Sequence, residues 1–300
     1  MPPSPLGDPV VVTPAVLRSR PLPDHRSVET KYDRGVVVVI GGSAQTPGGV
    51  LLAGLAALRV GAGKVQLATA ASAAAPLAIA VPEARVIALP ETADGSVEPG
   101  AADQLTRFVA GADAVLVGTS AVDDDVTGAL LRGVLPAVQE AAVIVDAAAI
   151  PVLADDARLL APLGGRAIVM PNPKEMAALL NCSVDEVSGD PAAHLAGAVE
   201  RLGVTVSLRG TETWTAAPGG PLFRDEAGNP GLATSGSGDV LAGAITGLAA
   251  RGADPLTATI WATHLHGVAA DRCAARLGEF GYLARELLDE LPLAHAALGG

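Results

Sequence analysis

Short runs of β-branched and aliphatic residues recur along the chain, separated by Ala- and Leu-rich stretches whose apolar residues return at helical spacing. This alternation constrains the fold more than any other feature. Val36–Ile40, Lys64–Thr69, Ala84–Leu89, Ala114–Val117, Ala142–Asp146, Arg166–Met170 and Val204–Leu208 read as strands. They are apolar almost throughout, which marks strands covered on both faces, as in a parallel sheet. Val50–Val60, Ala101–Ala110, Val126–Val138 and Pro191–Leu202 read as helices between them. The pattern predicts an α/β fold with a central, mostly parallel sheet and helices on both faces. Glu212–Arg224 predicts a small antiparallel hairpin turning at Pro218-Gly219-Gly220. From Asp239 onward, helices are expected near Asp239–Ala250, Leu256–Leu277 and Tyr282–Leu291. Residues 1–30 carry seven prolines and predict an extended arm with little helix capacity. No repeat or linker-like break divides residues 31–300, so a single catalytic-size domain is expected after the arm.

Composition narrows the partners. Half of the 300 residues are hydrophobic, enough for a sizeable core and too many for intrinsic disorder. The net charge of −12 repels a phosphate backbone, which argues against broad nucleic-acid binding. Any phosphate must therefore be caught locally, by oriented amides or a metal. Cys182 and Cys273 are too few for a disulfide framework or a Cys-based zinc site. No apolar run reaches the roughly 18–20 residues of a membrane span, and Met1-Pro2-Pro3-Ser4 lacks a signal-peptide layout. A cytoplasmic, membrane-free protein is expected.

The segment richest in chemistry is Gly228-Asn229-Pro230-Gly231-Leu232-Ala233-Thr234-Ser235-Gly236-Ser237-Gly238-Asp239, which runs into a helix. Glycines spaced by one residue let several amides face one side, and the helix adds its orphan N–H groups and positive dipole end. Together they predict an anion hole suited to phosphate, with Asp239 at its mouth as a base for an attacking hydroxyl. The plain structural alternative is that Ser237 or Asp239 simply caps the helix. A nucleophile elbow fails because Ser235 stands where Gly-x-Ser-x-Gly needs glycine, and Gly63-Lys64 is followed by Val65 rather than a Walker hydroxyl.

Asn229-Pro230-Gly231, Ala233-Thr234 and Gly236-Ser237-Gly238-Asp239 resemble the signature of the ADP/ATP-dependent NAD(P)H-hydrate dehydratases of the ribokinase-like superfamily. Further similar motifs follow in order: Lys31-Tyr32 with Arg34-Gly35, Gly41-Gly42-Ser43, Pro47-Gly48, Leu58-Arg59, Gly61-Ala62-Gly63 and Asp146-Ala147. Pro171-Asn172-Pro173 with Glu175, Leu208-Arg209-Gly210-Thr211, and His266-Gly267 with Asp271 complete the series. The resemblance implies a ribokinase-like fold and nucleotide-dependent dehydration of (6S)-NAD(P)H hydrate (NADHX or NADPHX) through a phosphorylated intermediate, with ADP or ATP and Mg²⁺. It implies that Ser235, Gly236, Ser237 and Gly238 hold nucleotide phosphates, Arg209, Gly210 and Thr211 line the nucleotide, and Asp239 is the base. Gly49, Gly118, Asn172 and Glu175 would lie beside the substrate, with Glu175 also reaching magnesium through water. A homo-oligomer and a separate NAD(P)H-hydrate epimerase are the implied partners.

Two departures bear on the site. The family's Gly-Pro-Gly-x-Gly loop stands here as Gly118-Thr119-Ser120-Ala121-Val122, and its Lys-Gly as Arg209-Gly210. Asn172…Glu175 also fits the wider kinase superfamily, which keeps a vitamin-precursor or sugar kinase open as the alternative, and the altered loop keeps open a nucleotide binder that has lost catalysis. A first-turn helix glutamate is the plain reading of Glu175. His264 and His266, two apart on a helix, cannot share a metal, and His266 is expected to pack or bond a backbone carbonyl. Asp123-Asp124-Asp125 reads as an exposed helix start.

Overall fold

The computed structural model describes residues 6–298. Its strands are β1 (Val10–Val11), β2 (Val36–Ile40), β3 (Lys64–Ala70), β4 (Arg85–Leu89), β5 (Ala114–Val117), β6 (Ala142–Val145), β7 (Ala167–Val169), β8 (Thr205–Leu208), β9 (Thr213–Ala216) and β10 (Phe223–Asp225). They form one sheet in the order β1-β10-β9-β8-β7-β6-β5-β2-β3-β4, in which β9 alone runs against the rest. Around it lie α1 (Pro14–Ser19), α2 (Gly48–Arg59), α3 (Ala71–Ala80), α4 (Ala102–Ala110), α5 (Asp124–Val134), α6 (Val152–Asp155), α7 (Pro173–Leu180) and α8 (Val184–Gly189). The chain closes with α9 (Pro191–Leu202), α10 (Ser237–Ala250), α11 (Pro255–Leu277) and α12 (Ala284–Ala297).

Strand pleating explains why both faces are apolar. Val37, Val39, Leu116, Ile144 and Ile168 point into one core with Ile245 and Leu248 of α10, while Val38, Ile40, Val115, Val117 and Val143 point into the other with Leu105 and Leu131. The chain leaves β2 for β3 and β4, then returns to the opposite side of β2 and continues through β5, β6, β7 and β8. That reversal makes a switch point between β2 and β5, and the crevice at the carboxyl ends of such strands is where open α/β sheets bind ligands. Two helices flank it at very short range. The Cα of Gly243 in α10 lies so near α2 that a Cβ there would fall 2.1 Å from Ala53 O, and one at Gly247 would fall 2.7 Å from Ala57 O.

The hairpin and the alternation appear as expected, with three differences. The arm is not merely extended: β1 joins β10, and α1 forms because Pro14 sits in the first turn, where no amide is needed, and Thr13 Oγ1 accepts from Val16 N at 3.3 Å. Leu17 is fully buried and Trp261 Nε1 donates to Arg20 O at 2.7 Å, which fastens the arm to α11. The Ala-rich segment with Pro76 forms α3, and α12 runs on through Pro292 to Ala297 instead of stopping before it. Residues 1–5 of the arm lie outside the described residues. No helix among the described residues is long and apolar enough to cross a membrane.

Candidate active site

The glycine loop turns the chain into a helix, as its spacing predicts. Gly236, at φ +90°, turns the chain into α10, which begins without a side-chain cap. Neither Ser237 nor Asp239 caps the helix, so the capping alternative does not hold. Ser237 is buried with its hydroxyl turned inward, 3.2 Å from His266 Nε2, and His266 Nε2 donates to Ser237 O at 3.1 Å. Burial pushes the His266 pKa down to about 4, against the helpful bond to Ser237 O, and Arg209 lowers it further. The imidazole is therefore neutral with its proton on Nε2, and it braces the loop through a backbone carbonyl, as expected. The Ser237 side chain is thus not directed at a ligand; what this segment offers an anion is backbone. α2 also starts without a side-chain cap, whereas α5, α7 and α11 are capped by Asp123, Asn172 and Asp254. Two helix N-termini without side-chain caps thus border the switch point.

Asp239 occupies the third position of α10 and faces the loop after β5. Its Oδ1 accepts from Thr119 Oγ1, and Ser120 Oγ lies 3.1 Å from both Oδ1 and Oδ2. From the α2 side, the Cβ position of Gly49 is 2.9 Å from Asp239 Cγ. Gly118, at φ +108°, sits so close to β6 that a Cβ would lie 2.0 Å from Asp146 O. The structure therefore sets Gly49 against Asp239, and Gly118 against Asp146 at the head of the loop that carries Thr119 and Ser120.

Arg209, at the end of β8, bridges the remaining groups. Its guanidinium lies against the Gly238 backbone, where a Cβ would be 2.4 Å from Nη1. Nη2 is 3.0 Å from Asp146 Oδ1 and 3.5 Å from Glu175 Oε2. The Asp146 contact is an ion pair without hydrogen-bond geometry, since Asp146 Oδ1 has no hydrogen-bond partner. Burial raises the Asp146 pKa to about 6; Arg209 opposes this, while Glu175 and Asp239 add to it. Asn172 and Glu175 form a capping box on α7: Asn172 Oδ1 accepts from Lys174 N and Glu175 N, and Glu175 Oε2 accepts from Asn172 N at 2.8 Å. The first-turn reading of Glu175 is thus realised, and only part of that carboxylate is left for a ligand. Gly210, Thr211 and Ser235 are exposed on the surrounding loops.

Three carboxylates against one guanidinium leave surplus negative charge, which suits an anion that arrives with a divalent cation. No group of three metal-ligating side chains exists among the described residues. The donor set therefore fits Mg²⁺ carried by phosphates and water better than a resident protein cage. Other motif residues hold the scaffold. Asn229 Oδ1 accepts from Gly231 N and Tyr282 Oη, and Asn229 Nδ2 donates to Asp271 Oδ1 at 3.0 Å. Asp123 caps α5 through Val126 N, and His264 pairs with Asp225 instead of His266. Sequence reasoning missed the roles of Thr119, Ser120 and Asp146; their signals were position just after a parallel strand and a place in the motif series, Asp146 within Asp146-Ala147 and Thr119 and Ser120 within the altered glycine loop.

The NAD(P)H-hydrate dehydratase family model matches residues 37–293. The chain belongs to the NAD(P)H-hydrate dehydratase family. Among its relatives in that family, an ADP-dependent (S)-NAD(P)H-hydrate dehydratase of Xanthomonas campestris is 41% identical over 283 residues, covering 94% of each chain. The bifunctional NAD(P)H-hydrate repair enzyme of Moorella thermoacetica is 37% identical over 282 residues, covering 94% of this chain and 53% of that protein, so the chain spans about half of that bifunctional relative. The ADP/ATP-dependent dehydratase of Bacillus subtilis, co-crystallised with ATP/Mg²⁺, superposes with a TM-score of 0.77 at 25% identity, over 95% of this chain and 97% of that one. A ribokinase-like superfamily protein of Enterococcus faecalis gives 0.82 at 26%, over 96% and 95%. This dehydratase family member therefore has a ribokinase-like fold.

Proposed function

We propose that this chain dehydrates (S)-NAD(P)H hydrate to NAD(P)H at the expense of a nucleotide, ADP by preference, with Mg²⁺. The observation that carries the reading is Asp239 standing in the first turn of α10, which begins at Gly236 without a side-chain cap. Hydroxide is a poor leaving group from the saturated ring of the hydrate. Asp239 takes the proton of that hydroxyl as its oxygen attacks the terminal phosphorus; the bond from that phosphorus to its bridging oxygen breaks, AMP leaves from ADP (or ADP from ATP), and the hydroxyl becomes a phosphate ester. The ring carbon–oxygen bond then breaks with its electron pair on phosphate. The adjacent ring nitrogen supplies electron density, and loss of a proton from the neighbouring carbon restores the double bond.

The backbone of Gly236, Ser237 and Gly238, with Ser235 beside it, cradles the phosphates, and Arg209, Gly210 and Thr211 border the nucleotide. Gly49, Gly118 and Asn172 lie on the substrate side. Glu175 would hold magnesium through water, and the bound ion would neutralise charge on the transferring phosphate. Residues 31–300 act as one catalytic domain, assembled as a homo-oligomer in the cytoplasm and working with an NAD(P)H-hydrate epimerase. Incubation with hydrated NADH, Mg²⁺ and either ADP or ATP is expected to restore the absorbance of NADH, faster with ADP. Folded protein that restores none with either nucleotide refutes the reading.

A further inference from the structure

We infer that Thr119 and Ser120 are positioning residues for Asp239, and that Gly49 is glycine in order to admit Ser120 beside it. The inference rests on Asp239 being the base and adds two residues to its machinery. The loop after β5 is pinned by its own backbone: Thr119 O accepts from Gly42 N at 2.9 Å, Ser120 O from Thr46 Oγ1 at 2.7 Å, and Gly118 O from Ala121 N at 3.1 Å. In this frame Ser120 is held at φ +51°, a left-handed conformation that glycine adopts freely and serine does not. A strained serine is explained by what its hydroxyl does, which is to bond both carboxylate oxygens of Asp239.

Thr119 makes the same point from below. Its side chain is fully buried, so Oγ1 cannot touch a substrate, yet it donates to Asp239 Oδ1. Gly49 supplies the space: a Cβ there would stand 1.7 Å from Ser120 Oγ and 2.4 Å from Ser120 Cβ. Hydroxyl donors from two adjacent residues fix the plane of the carboxylate and leave its outward lone pairs for the incoming proton. A general base needs that constraint, because a misdirected carboxylate loses rate without losing ligand affinity.

The test uses the full-length chain carrying Thr119→Val, Thr119→Ser, Ser120→Ala or Ser120→Gly, with the wild type in the same assay. Thr119→Val and Ser120→Ala are expected to lower kcat about tenfold while nucleotide KM stays within about twofold, and Thr119→Ser to keep the wild-type kcat. Ser120→Gly is expected to lower kcat with a melting temperature equal to or above that of the wild type, because the strain is relieved as the hydroxyl is lost. A merely structural role would lower both together. A wild-type kcat in Thr119→Val and Ser120→Ala overturns the inference, whereas an inert wild type overturns the proposed function. A cycle without turnover separates the two: the melting-temperature loss caused by Thr119→Val is expected to vanish or reverse in an Asp239→Ala background. Equal losses in both backgrounds overturn the inference whatever the activity.

Discussion

Replacing Gly243 by alanine would place a methyl carbon 2.1 Å from the carbonyl oxygen of Ala53 and 2.6 Å from its carbonyl carbon and Cα. These are backbone atoms of α2, so no rotamer change relieves the clash and the two helices must separate by about 1 Å to restore ordinary contact. Overpacking at backbone contacts falls near the upper end of its usual range, about 3 kcal/mol. Alanine returns about 1 kcal/mol in helix propensity, leaving a net loss of about 2 kcal/mol. For a chain of this size that lowers the melting temperature by about 4 °C. The same shift moves Asp239 relative to Gly49, and a displacement of about 1 Å can lower kcat up to 100-fold. Gly197, in the interior of α9, is the control, because a Cβ there meets nothing within 4 Å. Gly197→Ala should raise the melting temperature by about 2 °C and leave turnover unchanged. Scanning fluorimetry and steady-state kinetics on both variants read the result. A Gly243→Ala protein at least as stable as the wild type would refute the close approach of α2 and α10.

Asp146 and His266 should give opposite pH dependences of stability. The Asp146 pKa is raised to about 6, so its contribution is greatest below the ordinary carboxylate range and is lost as pH rises through 6. The stability of wild type relative to Asp146→Asn should therefore fall between pH 4 and pH 6.5. The His266 pKa is lowered to about 4, so its contribution is present above its ordinary value of 6.5 and is lost as pH drops toward 4. Wild type relative to His266→Gln should gain across the same interval, and denaturant midpoints showing slopes of one sign would contradict the assignment. Arg209→Lys keeps the charge but not the planar guanidinium that sets Nη2 against Asp146 at 3.0 Å and Glu175 at 3.5 Å while Nη1 lies along the Gly238 backbone; nucleotide KM should rise about tenfold, more than kcat falls. An unchanged KM would remove Arg209 from nucleotide binding.

Much of the scaffold was legible because its cause is local. β2, β5 and α9 fall on their expected bounds, since an apolar run or a helical repeat ending at glycine leaves little choice. α3 and the end of α12 were not, because each carries a proline inside the helix, and the arm helix was hidden because the run of prolines masked a Pro14 that sits harmlessly in a first turn and a Leu17 that buries completely. In the site, the glycine turn into α10 was readable from spacing, whereas the lack of a side-chain cap was left open, and His266 was expected to pack or to bond a backbone carbonyl. The inward turn of Ser237 was not, since it depends on a partner 29 residues away on another helix. Thr119 and Ser120 meet Asp239 across more than a hundred residues, and the raised pKa of Asp146 comes from burial and from neighbours on β8, α7 and α10.

The most direct measurement of the central claim compares Asp239→Asn with wild type, reading nucleotide affinity by calorimetry and NADH recovery from its hydrate in parallel. The variant keeps the shape and the α10 amides but cannot take a proton. The expected result is nucleotide binding within about twofold of wild type with turnover reduced at least about a hundredfold, as for loss of general-base catalysis. Turnover retained in Asp239→Asn would remove Asp239 from the base role and contradict the proposed chemistry.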